Sequence, residues 1–209
     1  MSERTVSVSA SGHVSATPDI ASINTGVLTE ASTAREAMNA NSTAMTKLVE
    51  GIKAQGIDPR DIRTTGINVN PRYSTPRDGR PAVITGYSAN NQVRIVVRDL
   101  KRLGEVLDAA ISLGATQMSG ISFEVSQAET LKDEARKSAM ANARRRAELY
   151  AAAAGASVGN VIAISEDVQV EGPRPVLMGR AKSAAPAAMP IEVGSMELEA
   201  VVHVTWGLK

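Results

Sequence analysis

From Thr5 to Ala16, small or apolar residues take every second position: Val6, Val8, Ala10, Gly12, Val14 and Ala16. A period of two predicts a strand with one buried face. Thr17-Pro18-Asp19 turns the chain, and Ala21, Ile23, Thr25 and Val27 carry the alternation into a second strand. Thr33-Ala34-Arg35-Glu36 then fits a capping box, in which hydroxyl and carboxylate satisfy the free amides of a helix start. Ala34, Met38, Met45, Leu48, Val49 and Ile52 approximate the apolar face of that helix, and Gly56 is its stop. The first unit reads strand, strand, helix.

A third strand is expected from Ile62 to Asn70, with Ile67 and Val69 inward. Asn70 to Pro81, rich in Pro, Gly, Asn and Asp, reads as a long hairpin loop. Tyr87, Ala89, Asn91, Val93, Ile95 and Val97 then share one face of a fourth strand. Asp99 is placed to cap a second helix carrying Leu100, Leu103, Leu107, Ala110 and Ile111, ending at Gly114. Ile121, Phe123 and Val125 mark a fifth strand. Ser126-Gln127-Ala128-Glu129 looks like a second capping box, opening a helix that runs to Gly155, roughly 40 Å at 1.5 Å per residue.

Asn160 to Ser165 predicts a short buried strand. Glu171 to Pro190 holds four prolines and an Ala/Ser stretch, and is expected to form an extended or mobile loop. Met196, Leu198, Ala200, Val202, Val204 and Trp206 alternate without a break in a final strand. The order is β-β-α-β-β-α-β-α-β-β, an α+β class with mostly antiparallel sheets and three helices packed on them. Its 209 residues suffice for one domain, 1–209, or for two small interlocked α/β motifs.

Composition narrows the function. Basic and acidic side chains number 23 and 22, giving a formal net charge of +1. A duplex binder concentrates positive charge, because phosphate neutralisation supplies most of its affinity. The run Arg144-Arg145-Arg146 does not change this. Residues in a helix are 100° apart, so three in a row spread over about 200° and cannot all meet one phosphate backbone. Only 2% of residues are aromatic, too few for a base-stacking platform. No cysteine is present, which removes thiolate nucleophiles, disulfides and Cys-based metal sites. No apolar run nears the roughly 18 residues of a transmembrane helix. The opening "MSERTVSVSA" lacks the apolar core of a secretion signal, so on this reading either the protein is cytosolic or its leader has been removed.

Candidate chemistry is sparse. His203 shares the polar face of the last strand with Glu197 and Glu199, a weak metal-site pattern, and His13 reads as structural. No histidine stands at a diagnostic spacing, no Walker or GxSxG sequence occurs, and Gly12 precedes no helix. Asn90-Asn91-Gln92 inside a strand fits a polar face or a polar lumen. Asn41-Ser42-Thr43 matches a glycosylation sequon on a predicted helix. No catalytic, cofactor-binding or metal residues are assigned. The long helix carries Ala135, Ala139, Ala143 and Ala147 at strict i, i+4 spacing, a small-residue row that permits close approach. A helix near 40 Å exceeds what a domain with an expected radius of gyration of about 17 Å needs. The long helix or the edges of the sheets are therefore expected at contacts between copies, with the alanine row packed either there or within the fold.

"GHVSATPDIASINTGVLTEASTAREAMNANSTAMTKL", "IRTTGINVNPRY", "ITGYSANNQVRIVVRDL" and "EARKSAMANARRRAELYAAAAG" resemble successive blocks of SIMPL-domain proteins. The likeness runs over nearly the whole chain. It implies a leader-processed protein of the bacterial envelope, periplasmic or outer-membrane associated, without established catalysis. It also implies a link to oxidative-stress protection and assembly into a large channel-like homo-oligomer. The family has no agreed catalytic residues to carry over. Two other readings stay open: a ligand binder or enzyme whose site forms between subunits, and an adaptor that binds an envelope protein through Glu171 to Pro190.

Overall fold

The computed structural model describes residues 4–74, 81–167, 174–176 and 192–209. Three helices and two antiparallel sheets form in the expected order, with one short strand added. The elements are β1 (Thr5–Ala16), β2 (Ile20–Ala31), α1 (Ala34–Ala54), β3 (Ile62–Tyr73) and β4 (Ile84–Val97). There follow α2 (Leu103–Ser112), β5 (Gln117–Glu124), α3 (Ala128–Ala153), β6 (Val158–Glu166), β7 (Arg174–Val176) and β8 (Ser195–Leu208). The class is α+β.

The chain divides into two compact units. In the first, β1 pairs along its whole length with β8, from Thr5 opposite Gly207 to Ala16 opposite Met196. β6 flanks the other side of β8, and β7 pairs with Ser195 to Glu197 of the same strand. Thr17 to Asp19 therefore leads from one sheet to the other instead of closing a hairpin. α3 lies over β1 and β8. Ala135, Ala139 and Ala143 are fully buried there, with Val8, Ala10, Val202, Val204 and Trp206 completing the core. The alanine row is thus consumed inside the chain rather than offered to a second copy. Gly12 explains the closeness: a Cβ there would sit 2.2 Å from the Ala135 carbonyl oxygen and 2.4 Å from the Ala139 nitrogen. Only a glycine lets the helix backbone approach so near.

In the second unit the strand order is β3-β4-β2-β5, with α1 and α2 on one face. The Thr33–Glu36 capping box forms as expected. Ile23, Leu48, Ile52, Ile95, Leu103 and Val106 build the core. Asn41 is buried too, and its amide nitrogen donates to the carbonyls of Val27 at 2.8 Å and Ala89 at 3.0 Å. It fastens the helix to two strands, so the sequon is not a surface acceptor. Asp99 accepts from the Lys101 amide and caps a 3-10 turn leading into α2.

Several expectations are corrected. α3 starts at Ala128 with Gln127 rather than Ser126 at the N-cap, Gln127 makes no side-chain cap bond, and the Glu129 carboxylate takes Lys132 Nζ at 2.9 Å. Ile67 and Val69 lie on the helix side of their sheet but are uncovered, at 54% and 37% exposure, because α1 and α2 pack mainly over β2 and β4. Ile111 is exposed, and Val106 takes its place in the core. β5 ends at Glu124, before Val125. β6 is longer than expected and open: Val161, Ile162 and Ile164 are 48%, 50% and 57% exposed. β3 and β4 run to Tyr73 and from Ile84, shortening the hairpin loop. Within the Glu171 to Pro190 segment only the backbone of β7 is among the described residues; the rest lies outside them.

Candidate functional site

On the first sheet, the face turned away from α3 gathers both histidines. Antiparallel register sets His13 opposite Glu199 and His203 opposite Ser9. His13 Nδ1 stands 3.4 Å from Glu197 Oε1, and its Nε2 stands 3.7 Å from Glu199 Oε1 and 3.1 Å from Ser11 Oγ. His203 Nε2 meets Asp167 Oδ2 at 2.9 Å. The two glutamates that share a strand face with His203 in sequence are therefore spent on His13, and Asp167, from the end of β6, was not foreseen. Register between the first and last strands was the missing signal, and no local pattern encodes it.

Ser11, His13 and Glu197 form the line hydroxyl–imidazole–carboxylate that activates a nucleophile in acyl transfer. Here it lies on an open sheet face, with the His13 and Glu197 side chains 46% and 45% exposed. Catalysis of that kind also needs oriented oxyanion donors and exclusion of water. Nothing among the described residues encloses the line. Exposed pairs of this type contribute about 0–1 kcal/mol each. Among the described residues no group of three or more His, Cys, Asp or Glu is arranged to hold a metal ion.

The second unit holds a cleft of about 180 Å³, lined by residues that include Gly56, Asp58, Asp61, Arg98, Asp99 and Arg102. Its polar groups already have partners. Asp61 is buried and takes a two-pronged bond from Arg98, at 2.7 Å on each oxygen. Asp58 accepts from the backbone and side chain of Arg60, which hold its carboxyl down at about 2. Arg102 donates to the Gln55 carbonyl at the end of α1. The volume is below the roughly 300 Å³ of ordinary ligand sites. These ions fasten the helix end to β4.

The opposite face of the second sheet carries a polar row. Arg94 bonds Ser22 Oγ at 2.7 Å and pairs with Glu124, while Gln92 reaches Gln117. On this face the side-chain oxygen of Asn90 is buried without a hydrogen-bond partner among the described residues, and so is that of Asn91 on the helix face. On α3, Arg144 pairs with Glu148 at 2.9 Å, and Arg146 donates to the Ser9 carbonyl at 3.0 Å. Two of the three arginines in the run are thus engaged within the chain.

The model of the SIMPL family, described as "Protein of unknown function (DUF541)", matches residues 6–206. The chain is 37% identical over 211 residues to the 26 kDa periplasmic immunogenic protein of Brucella melitensis, covering 98% of this chain and 84% of that one. It is 28% identical over 180 residues to the uncharacterized protein YggE of Escherichia coli K12, covering 86% and 72%. A crystal structure of a putative amidohydrolase/peptidase from Burkholderia cenocepacia overlaps with a TM-score of 0.20 at 18% identity, covering 62% of this chain and 33% of that one. Agreement that small carries no argument about fold or activity. No described helix is long and apolar enough to cross a membrane. The match over residues 6–206, together with the identity to the Brucella relative, establishes that the chain belongs to the SIMPL family.

Proposed function

We propose that this protein is a non-enzymatic, self-assembling component of the bacterial cell envelope, resident in the periplasm and linked to oxidative-stress protection. The observation that carries self-assembly is the open apolar surface of two sheet-edge strands. Val161, Ile162 and Ile164 on β6 and Ile67 on β3 are each about half exposed. An uncovered apolar edge strand is a template for another chain, and proteins that stay monomeric blunt such edges. The periplasmic placement rests on the name of the Brucella relative. The non-catalytic reading rests on the exposure of the Ser11–His13–Glu197 line and the internal pairing of the charged cleft.

Chemical cross-linking in intact cells carrying the gene with its native upstream sequence, followed by periplasmic extraction, tests this reading. Multi-chain species in the periplasmic fraction are the expected result. Single chains confined to the cytoplasm would overturn it. A second reading, a ligand site completed between subunits, is favoured by the buried amide oxygen of Asn90 on the face away from the helices, which has no partner among the described residues and which a donor from outside the unit could satisfy.

A further inference from the structure

Most of the described glycines are required by their surroundings. A Cβ would strike backbone at Gly12 and Gly26, and Gly56 and Gly114 take positive φ. Gly66 has neither reason. Its φ lies outside the left-handed region, and a Cβ there would meet nothing nearer than Asn68 Nδ2 at 3.9 Å. It sits at a bulge of β3, where the register against β4 shifts between Thr64 and Gly66. That bulge does not itself demand glycine, since the left-handed conformation is absent. A strand glycine that neither strain nor packing requires suits a place where a ligand comes close to the backbone, and bulges gather beside such places.

Gly66 lies on the polar face of the second sheet, turned away from α1 and α2, above an open notch. Gln92 stands opposite it on β4 but leans the other way. Its Cγ would be 3.1 Å from a Cβ on Gly26, and its amide crosses β2 to reach Gln117 Oε1 at 3.4 Å. On one side of the notch Asn68 stands opposite Asn90, and on the other Arg63 stands opposite Arg94. Asn90 and Arg94 are four residues apart on β4, about 13 Å along the strand. Neither asparagine side chain makes a hydrogen bond among the described residues, so no partner locks either carboxamide.

Like charges directly across a ladder destabilise it. Arg94 is compensated by Glu124 and Ser22, whereas Arg63 is exposed and meets no acid among the described residues. An anion between the two guanidiniums removes that repulsion, and a carboxylate fits the flat, two-pronged donor of an arginine. Across the notch, the carboxamides of Asn68 and Asn90 offer donors and acceptors together, which matches hydroxyls, since these also do both. No apolar side chain stands among these six residues, so nothing here pockets the side chains of a peptide.

The geometry points to a binding site for an acidic carbohydrate: a short oligomer of sugar acids laid across Gly66. One carboxylate lies between Arg63 and Arg94, and hydroxyls meet Asn68 and Asn90. Every group comes from one sheet of one chain, so the site goes beyond the assembly reading and needs no second copy.

Isothermal titration of the whole chain with trigalacturonate, with maltotriose as its neutral counterpart, tests the site. One trigalacturonate per chain is expected. Maltotriose on the wild type, and trigalacturonate on Arg63→Ala, should each bind about tenfold more weakly or worse, the loss expected when a hydrogen bond to a charged group is removed. Gly66→Val fills the notch without a clash, since the nearest atom to the new Cβ is 3.9 Å away. It should abolish binding while thermal melting stays at or above that of wild type; Arg63→Ala, at an exposed position, gives an independent answer should the valine disturb the fold. No heat with trigalacturonate at millimolar concentration would overturn the proposal, and so would an affinity that both substitutions leave unchanged. Equal binding of the two sugars would remove the anion from the account and overturn it too. One ligand per two chains would instead mean a site completed between subunits, contradicting the single-chain site while leaving self-assembly standing.

Discussion

Gly12 sits where β1 and α3 come closest, and replacing it by alanine gives a quantitative test of the first core. The added Cβ would lie 2.2 Å from Ala135 O, 2.4 Å from Ala139 N and 2.8 Å from Ser138 Cβ. Two of the three are helix backbone, which cannot rotate away. Restoring an ordinary contact means opening the helix–strand gap by about 1 Å, and a gap of that size forfeits a quarter to a half of each dispersion contact along the seam. Overpacking of this kind costs about 1–3 kcal/mol. For a chain of this length each kcal/mol lowers the melting midpoint by about 2–4 °C, so a drop of roughly 2–12 °C is expected. The single tryptophan, Trp206, is 4% exposed in that core and reports its melting by fluorescence. Gly104→Ala, in α2 with nothing within 4 Å of the new Cβ, is the control and should be neutral or stabilising by about 0.5–1 kcal/mol. A Gly12→Ala midpoint within about 1 °C of wild type would refute the close-packed seam.

Asn41→Ala leaves the Val27 and Ala89 carbonyls without the buried amide donor and should cost about 1–3 kcal/mol, read by chemical denaturation. Asp58→Asn tests the depressed carboxyl: its folded value of about 2 lies below the ordinary aspartate value of 3.8, so its stabilisation is full above pH 4 and fades as pH falls toward 2. The gap in melting midpoint between wild type and variant should therefore close across that window; a gap unchanged at pH 2 would contradict the assignment. Ser11 should resist labelling by a fluorophosphonate probe, since its imidazole–carboxylate line is open to water; stoichiometric labelling abolished by His13→Ala would make the protein an esterase-like enzyme. Arg144→Ala with Arg145→Ala should leave duplex DNA retention at the wild-type level in filter binding, because Arg144 is held by Glu148 and the run wraps around its helix.

Elements were legible wherever one helix layer covers a sheet, because period two then records the covered face directly. β1 and β8 show this most clearly: every buried residue of β8 falls on the alternation from Met196 to Trp206. Pairing was not legible. That Thr5 meets Gly207 depends on contacts between chain ends, and a one-residue pattern cannot name its partner. Burial of β6 was misread for a related reason. An apolar strand reads the same whether its own chain covers it or not, and α3 lies mainly over β1 and β8. The same blindness hid the His203–Asp167 pair and the Ser11–His13–Glu197 line, whose partners lie on different strands. Ala135 to Ala147 was correctly seen as a close-approach row, but its counterpart is Gly12 of the same chain.

Open edges on β3 and β6 mean little if the chain remains alone in solution, so the central claim stands or falls on mass. Light scattering coupled to gel filtration, on wild-type protein at micromolar concentration, reads it directly. The account predicts a discrete species at a multiple of the 21.9 kDa chain mass. A single peak at 21.9 kDa across the concentration range would contradict it.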